Sequence, residues 1–192
     1  SGPVGLMTQK FAWMQGAKRV IAVDDQVYRL NHAKMTNKVE TVNFSDHAES
    51  GAYIKELTQG GADVVIDCVG FDGKMSAVEK IEQKIGLQGG TLSAIDIAKD
   101  AVRKFGTVQL TGVYAKKYNQ FPLGDFFTRN ITLKMGQAPV IHLMPELFQK
   151  IINQEFDPTD IVTHRVALDD AASAYQTFND RTDGCIKVVL KP

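Results

Sequence analysis

Apolar positions along the chain alternate between helical and strand spacing from one end to the other. Val4, Met7, Phe11 and Met14 repeat at intervals of three and four, the stripe of an amphipathic helix. Residues 18–23 (K-R-V-I-A-V) read as a short strand with Asp24 at its carboxyl end. A short helix over 27–34, a strand over 39–44 and a helix over 48–59, stopped by Gly60-Gly61, follow. Residues 63–69 (D-V-V-I-D-C-V) are almost continuously apolar, as in a parallel strand buried on both faces, and Gly70 ends them.

Residues 71–90 read as an insertion longer than a usual connection, with turns at Asp72-Gly73 and Gly89-Gly90 around a helix over 76–85. Ser93 and Asp96 form a start resembling a capping box for a helix running to Lys104. Strands are expected over 107–113 (T-V-Q-L-T-G-V) and 131–135. Met144, Leu147, Phe148, Ile151 and Ile152 mark one face of a helix with Pro145 in its first turn. Beyond Asp157-Pro158 the rhythm changes to a strand over 161–166, a helix capped by Asp169 and running through Phe178, and a turn at Asp183-Gly184 into a strand over 185–190. The alternation predicts an α/β fold, a Rossmann-type doubly wound parallel sheet over residues 1–157, with residues 158–192 as a short C-terminal appendix.

Composition narrows the function classes. Of 192 residues 44% are hydrophobic and 23% charged, ordinary for a globular chain with a full core. Twenty-two basic and twenty-two acidic residues cancel without a basic block, which argues against nucleic acid as a partner. No apolar run approaches the ~20 residues of a spanning helix, so a membrane is not expected either. Cys68 and Cys185 lie far apart and form no zinc-type pair, which suggests a reducing compartment and a cytoplasmic location.

The first five residues carry the clearest chemistry. Ser1-Gly2-Pro3-Val4-Gly5 reads as the end of a G-x-G-x-x-G turn whose first glycine and preceding strand are missing, so the chain is expected to be a fragment. Such a turn lets the backbone approach a pyrophosphate that sits against the positive end of the following helix. Asp24 lies nineteen residues after Gly5, close to where that fingerprint places the acid that holds the ribose hydroxyls. Glycines at two further strand ends, Gly70 and Gly112, fit a ligand crevice beyond the carboxyl edge of the sheet. Against a 2′-phosphate, the Asp24 carboxylate meets like charge worth up to about 4 kcal/mol at 4 Å for an effective dielectric of 20. Asp25 adds a second negative charge, so NAD is favoured over NADP. Arg29, the nearby cation, lies either along an adenosine or in solvent on its helix.

From G-P-V-G through D-V-V-I-D-C-V-G, T-V-Q-L-T-G-V-Y and M-G-Q-A-P-V to T-H-R-V-A-L-D-D-A-A-S-A-Y and D-G-C-I-K-V-V-L-K-P, the chain resembles the C-terminal part of zinc-dependent medium-chain alcohol dehydrogenases. Within that superfamily it is most similar to the glutathione-independent formaldehyde dehydrogenase branch, in the insertion after Gly70 and in the G-Q-A-P-V segment. The resemblance implies Gly2, Pro3 and Val4 under the pyrophosphate and Asp24 and Arg29 at the adenosine. It implies Val69, Gly112, Val113 and Tyr114 along the nicotinamide half, and backbone groups of Gly136 and Gln137 at the carboxamide side. Lys187 takes a position near the phosphates. Phe105 departs from the pattern, standing where a Gly-Gly pair is usual.

In the family the substrate and the zinc ions belong to an N-terminal domain, and residues 158–192 return to it. The resemblance therefore implies NAD(H) as ligand, zinc in the parent enzyme but not on this chain, no catalytic residue within it, and self-association as a homo-oligomer. His142 and His164 lack a cysteine or acid at metal spacing and read as structural or surface histidines, and Cys68 as an inert core thiol. The leading expectation is the inactive NAD-binding part of a zinc-dependent alcohol or formaldehyde dehydrogenase. The alternatives are a stand-alone nucleotide-binding or assembly module without catalysis, or a zinc-free quinone reductase, against which Asp24-Asp25 argues. In a sheet of order 3-2-1-4-5-6 the missing first strand leaves a central slot, and residues 185–190 are one candidate to fill it.

Overall fold

A computed structural model describes residues 1–70, 93–114 and 121–192. The expected insertion over 71–90, with its helix over 76–85, lies outside the described residues. The chain divides into two compact units, residues 1–43 with 139–192, and residues 44–138.

In the first unit, α1 (Pro3–Met14) leads to β1 (Ile21–Asp24), α2 (Val27–Asn37) and β2 (Glu40–Asn43). β1 and β2 pair in parallel, with Ile21 opposite Glu40 and Asp24 opposite Asn43. The apolar faces of these elements meet in one cluster, where Leu6 of α1, Ala22 of β1, Leu30 and Ala33 of α2, Val39 and Ile186 are buried together. A polar bridge sits inside it. The buried Asn37 amide donates to the Leu6 carbonyl at 2.9 Å and to Gln9 Oε1 at 2.8 Å, which fixes α1 against α2.

The rest of this unit is α6 (Val140–Ile152), β6 (His164–Ala167), α7 (Ala171–Asn179) and β7 (Val188–Lys191). β7 pairs with β6 in parallel, so the C-terminal strand takes β6 as its ladder partner and does not add to the edge of β1. This corrects the expectation that residues 185–190 substitute for a missing strand. The side chain that reaches the β1 cluster is Ile186, just ahead of β7, and its contribution there is apolar packing rather than strand pairing. Pro145 stands inside α6 and not in its first turn, because the helix begins five residues earlier at Val140. The residue before α7 is Asp170 with no side-chain cap bond, while Asp169 lies in the preceding 3-10 turn (Leu168–Asp170).

The second unit holds α3 (Ser50–Leu57), β3 (Ala62–Asp67), α4 (Ser93–Ala101), β4 (Val102–Leu110), α5 (Leu123–Thr128) and β5 (Thr132–Met135). Its parallel sheet runs β3-β4-β5. α3 ends at Leu57 and the chain leaves it through Gln59, Gly60 and Gly61, all at positive φ; at Gly61 a Cβ would lie 2.5 Å from the Arg103 nitrogen. Ile95, Ala98, Val102, Val108, Leu110 and Phe126 form the buried core. Within each unit the strand orders agree with the corresponding stretches of the expected Rossmann order.

Two boundaries depart from expectation. The helix of residues 93–104 ends at Ala101, and β4 starts at Val102, five residues early. The strand's first residue, Val102, is buried in the core of the unit, and next to it the Arg103 guanidinium bonds Asp63 on the neighbouring strand at 2.6 Å. The extra length is absorbed by a register shift between Ala62 and Val64, with Phe105 at φ 60° inside it. β3 is not buried on both faces. Val64 is 53% exposed and Ile66 39%, on the face opposite Val65, which packs on the core.

Candidate cofactor site

The first unit brings the N-terminus of α1 next to the carboxyl end of β1. α1 starts from Gly2 in an extended conformation, has Pro3 at its first position, and carries no side-chain cap. The donors of its first turn are thus left for an external acceptor, and Gly2 adds no side chain to block the approach. Arg29 stands beside it. A Cβ on Gly2 would meet the Arg29 guanidinium at 3.7 Å, and that guanidinium lies 3.9 Å from Asp24 Oδ2.

Asp24 is 7% exposed and organises the turn into α2. Its Oδ1 accepts from the backbone N–H groups of Asp25 and Gln26, both at 2.9 Å, and its Oδ2 accepts from the amino group of Ser1. A carboxylate has about four acceptor positions, so one on Oδ2 is left for a further donor such as a ribose hydroxyl. Of the residues expected under a nucleotide, Gly2, Pro3, Asp24 and Arg29 are therefore gathered, and Val4 follows on the exposed side of α1. Lys187 gives its carbonyl to Thr163 and His164 and leaves its side chain exposed.

Tyr28 completes this group and was not anticipated. Arg29 Nε donates to the Tyr28 hydroxyl at 3.2 Å, and that hydroxyl donates to the Cys185 carbonyl at 3.2 Å. The arginine is thus held by an anchor in the segment just ahead of β7. The signal in the sequence was only the adjacency Y-R on one helix, which reads equally as two surface residues. Burial pushes the Cys185 thiol above its ordinary range, which suits a packing role.

In the second unit the carboxyl ends of β3 and β4 come together. The Thr111 N–H donates to the Asp67 carbonyl at 2.9 Å, and the Val113 N–H to the Val69 carbonyl at 3.1 Å. The Asp67 side chain, 6% exposed, ties the two ends further: Oδ1 accepts from the Val69 N–H at 2.9 Å and Oδ2 from the Tyr114 hydroxyl at 2.7 Å. Burial raises the Asp67 carboxyl above the ordinary carboxylate range, and its bonds to Val69, Tyr114 and Gly112 oppose that shift without cancelling it. Val69, Gly112, Val113 and Tyr114 are thus brought to one place, with Val113 the exposed member. Gly136 and Gln137 follow β5 and are exposed, with Gly136 at φ 144°.

Among the described residues no three His, Cys, Asp or Glu side chains are placed to hold a metal ion. His164 lies between the Thr163 hydroxyl at 2.9 Å and Asp183 at 3.2 Å, and His142 is exposed on α6. Among them, too, no helix is long and apolar enough to cross a membrane.

Residues 3–83 match the family model described as zinc-binding dehydrogenase. An uncharacterised zinc-type alcohol dehydrogenase-like protein of Bacillus subtilis is 58% identical over the whole of this chain, which covers 50% of that protein. Among solved structures, an alcohol dehydrogenase from Thermus sp. ATN1 superposes with a TM-score of 0.78 at 25% identity, over 98% of this chain and 49% of its own. A zinc-dependent alcohol dehydrogenase of Streptococcus pneumonia gives a TM-score of 0.78 at 25% identity, over 99% of this chain and 49% of its own. The chain spans about half the length of the curated relatives it matches.

Proposed function

We propose, from a chain whose matches support the C-terminal part of the medium-chain, zinc-type dehydrogenase superfamily, that it is the NAD(H)-binding part of an alcohol or formaldehyde dehydrogenase. The observation that carries this reading is the meeting of an uncapped helix N-terminus with Gly2, Arg29 and Asp24. Those groups suit the two ends of an adenosine diphosphate: donors and a guanidinium for the pyrophosphate, a carboxylate for ribose hydroxyls. Residues 1–157 are read as the cofactor-binding domain and 158–192 as the segment that returns to a catalytic domain.

When bound, the nicotinamide would take a hydride from an alcohol or aldehyde hydrate, or in its reduced form return one to the corresponding carbonyl compound. The chain's own residues bind and orient. The first turn of α1 and Arg29 neutralise phosphate charge, Asp24 fixes the adenosine ribose, and the Val69 and Gly112–Tyr114 strand ends support the nicotinamide half. Lys187, Gly136 and Gln137 are assigned near the phosphates and the carboxamide by resemblance. Zinc does not fit the donor set of the described residues, so no step is assigned to it here. Two cysteines far apart in the sequence suit a reducing, cytoplasmic setting, and a second copy of the chain is the proposed protein partner.

Titration calorimetry of the chain with NADH and NADPH tests the reading. Binding of NADH at least tenfold tighter than NADPH is expected, because the Asp24 carboxylate faces the 2′-phosphate, and that ratio should collapse in Asp24→Ala. Equal affinity for the two cofactors in the wild type would overturn the role given to Asp24. No binding of either would overturn the function.

A further inference from the structure

We infer that Asp67 is the positioning residue of the nicotinamide side: a buried carboxylate that locks the ends of β3 and β4 into the conformation offered to the cofactor. The inference rests on the NAD reading above and goes beyond it, because Asp67 is not among the residues expected to touch the ligand.

The argument starts from cost. An acid enclosed by its neighbours loses hydration, and such a group persists in a fold when its bonds accomplish something that an apolar residue would not. Asp67 interrupts the apolar run of β3 at its last position, where the chain turns toward Val69. Its two oxygens collect donors from both strand ends: Val69 N–H from one, the Tyr114 hydroxyl and Gly112 N–H from the other. The main-chain bonds from Thr111 to Asp67 and from Val113 to Val69 run between the same two segments. The side chain thus adds a second kind of link to a crossing that the backbone has already begun.

Gly112 gives an independent reason to regard the site as fitted. A Cβ there would overlap Asp67 Oδ2 and lie 2.6 Å from the Val69 carbonyl oxygen, so the glycine is what lets the carboxylate close on Tyr114. Of the four residues assigned to the nicotinamide half, Val69, Gly112 and Tyr114 are direct partners of Asp67. The fourth, Val113, is left 48% exposed between them as an apolar surface for the ring. Removing the carboxylate should release Tyr114 and slacken both strand ends, and leave Gly2, Asp24 and Arg29 untouched.

The test compares NADH with ADP-ribose, which lacks the nicotinamide, on the 192-residue chain by calorimetry. Asp67→Ala should weaken NADH by about tenfold, the scale of one lost bond to a charged group, while ADP-ribose affinity stays unchanged. Asp67→Asn, which keeps an acceptor and the volume, should recover most of the loss. Tyr114→Phe removes one bond without touching the carboxylate, and should weaken NADH alone and by less than Asp67→Ala. It also serves if Asp67→Ala does not fold. Equal loss of both ligands in these variants, or loss of neither, would overturn the inference while the NAD reading stands. Wild-type chain that binds ADP-ribose and NADH equally would overturn it too, because no nicotinamide contact would then exist. Binding of neither ligand by the wild type would bring down the NAD reading and this inference together.

Discussion

Replacing Gly112 by alanine probes the strand-end crossing through stability alone. The new methyl would overlap Asp67 Oδ2, sit 2.6 Å from the Val69 carbonyl oxygen and lie 3.1 Å from Tyr114 Cε2. Two of those three atoms carry bonds of the crossing, so the overlap cannot be relieved without breaking one. Moving the carboxylate gives up its bond with Tyr114, and moving the carbonyl gives up the bond from Val113. A lost hydrogen bond to a charged group costs about 1.5–3 kcal/mol and forced overpacking about 1–3 kcal/mol. One displacement answers both, so the terms add only in part, and about 2–4 kcal/mol is expected.

For a chain of this length each kcal/mol lowers the melting temperature by about 2–4 °C, so Gly112→Ala should melt about 4–16 °C lower. Thermal unfolding by circular dichroism reads this directly. Gly124→Ala is the matched control, because nothing lies within 4 Å of a Cβ at that position in α5. There the substitution should leave the melt unchanged or raise it slightly through helix propensity. A Gly112→Ala protein melting no lower than Gly124→Ala would refute the reasoning, since it would mean that the crossing rearranges without cost.

Phe105→Gly should stabilise the chain by about 0.5–1 kcal/mol, because a left-handed residue with a Cβ costs about 1–2 kcal/mol and glycine's flexibility in the unfolded chain returns about 0.5–1 of it. The side chain is 70% exposed at φ 60°, so little packing is lost, and a denaturation midpoint that falls in the variant would count against the strain. For Asp67 the sign with pH follows from its raised folded value: between the ordinary 3.8 and that value the folded state binds the proton that the unfolded chain has released, so stability falls as pH rises through the window. Urea unfolding across pH 4–8 should therefore show wild type losing ground to Asp67→Asn as pH increases, and a gap that moves the other way would refute the burial argument.

Much of the fold was legible because its signals are local. The apolar stripe of α1, the short strand ending at Asp24 and the double glycine after α3 each depend on neighbouring residues, and each appears close to its expected place. The boundary between α4 and β4 was not legible, because the residues that set it are far apart in the chain. Asp63 bonds Arg103 across the sheet, and Arg129 reaches back to donate to the carbonyls of Lys99, near the end of α4, and of Val102, the first residue of β4. α5 was missed for a related reason: six residues are too few to show a period, and what defines the helix is the burial of Phe126 in the core of its unit. Phe105 was flagged by resemblance as a departure from glycine, and it does adopt the backbone conformation that glycine favours.

The two acids at strand ends show where sequence reading of a site stops. Asp24 and Asp67 use the same local device, in which one carboxylate oxygen accepts from the backbone N–H two residues on, at Gln26 and at Val69, both at 2.9 Å. Each thereby shapes the first turn beyond a parallel strand, where ligands of such sheets bind. Asp24 was found because its partner in the argument, the glycine turn, lies at a fixed distance along the chain. Asp67 was passed over because its partner is Tyr114, forty-seven residues away, and no spacing rule connects them. What the sequence did contain was an acid inside an apolar run and a tyrosine just after a strand-end glycine. A buried carboxylate needs a donor, and a phenol leaving a strand on the same side of a sheet is a ready one. Joining such an acid to such a phenol turns a burial rule into a search for the residues that hold a cofactor loop in shape.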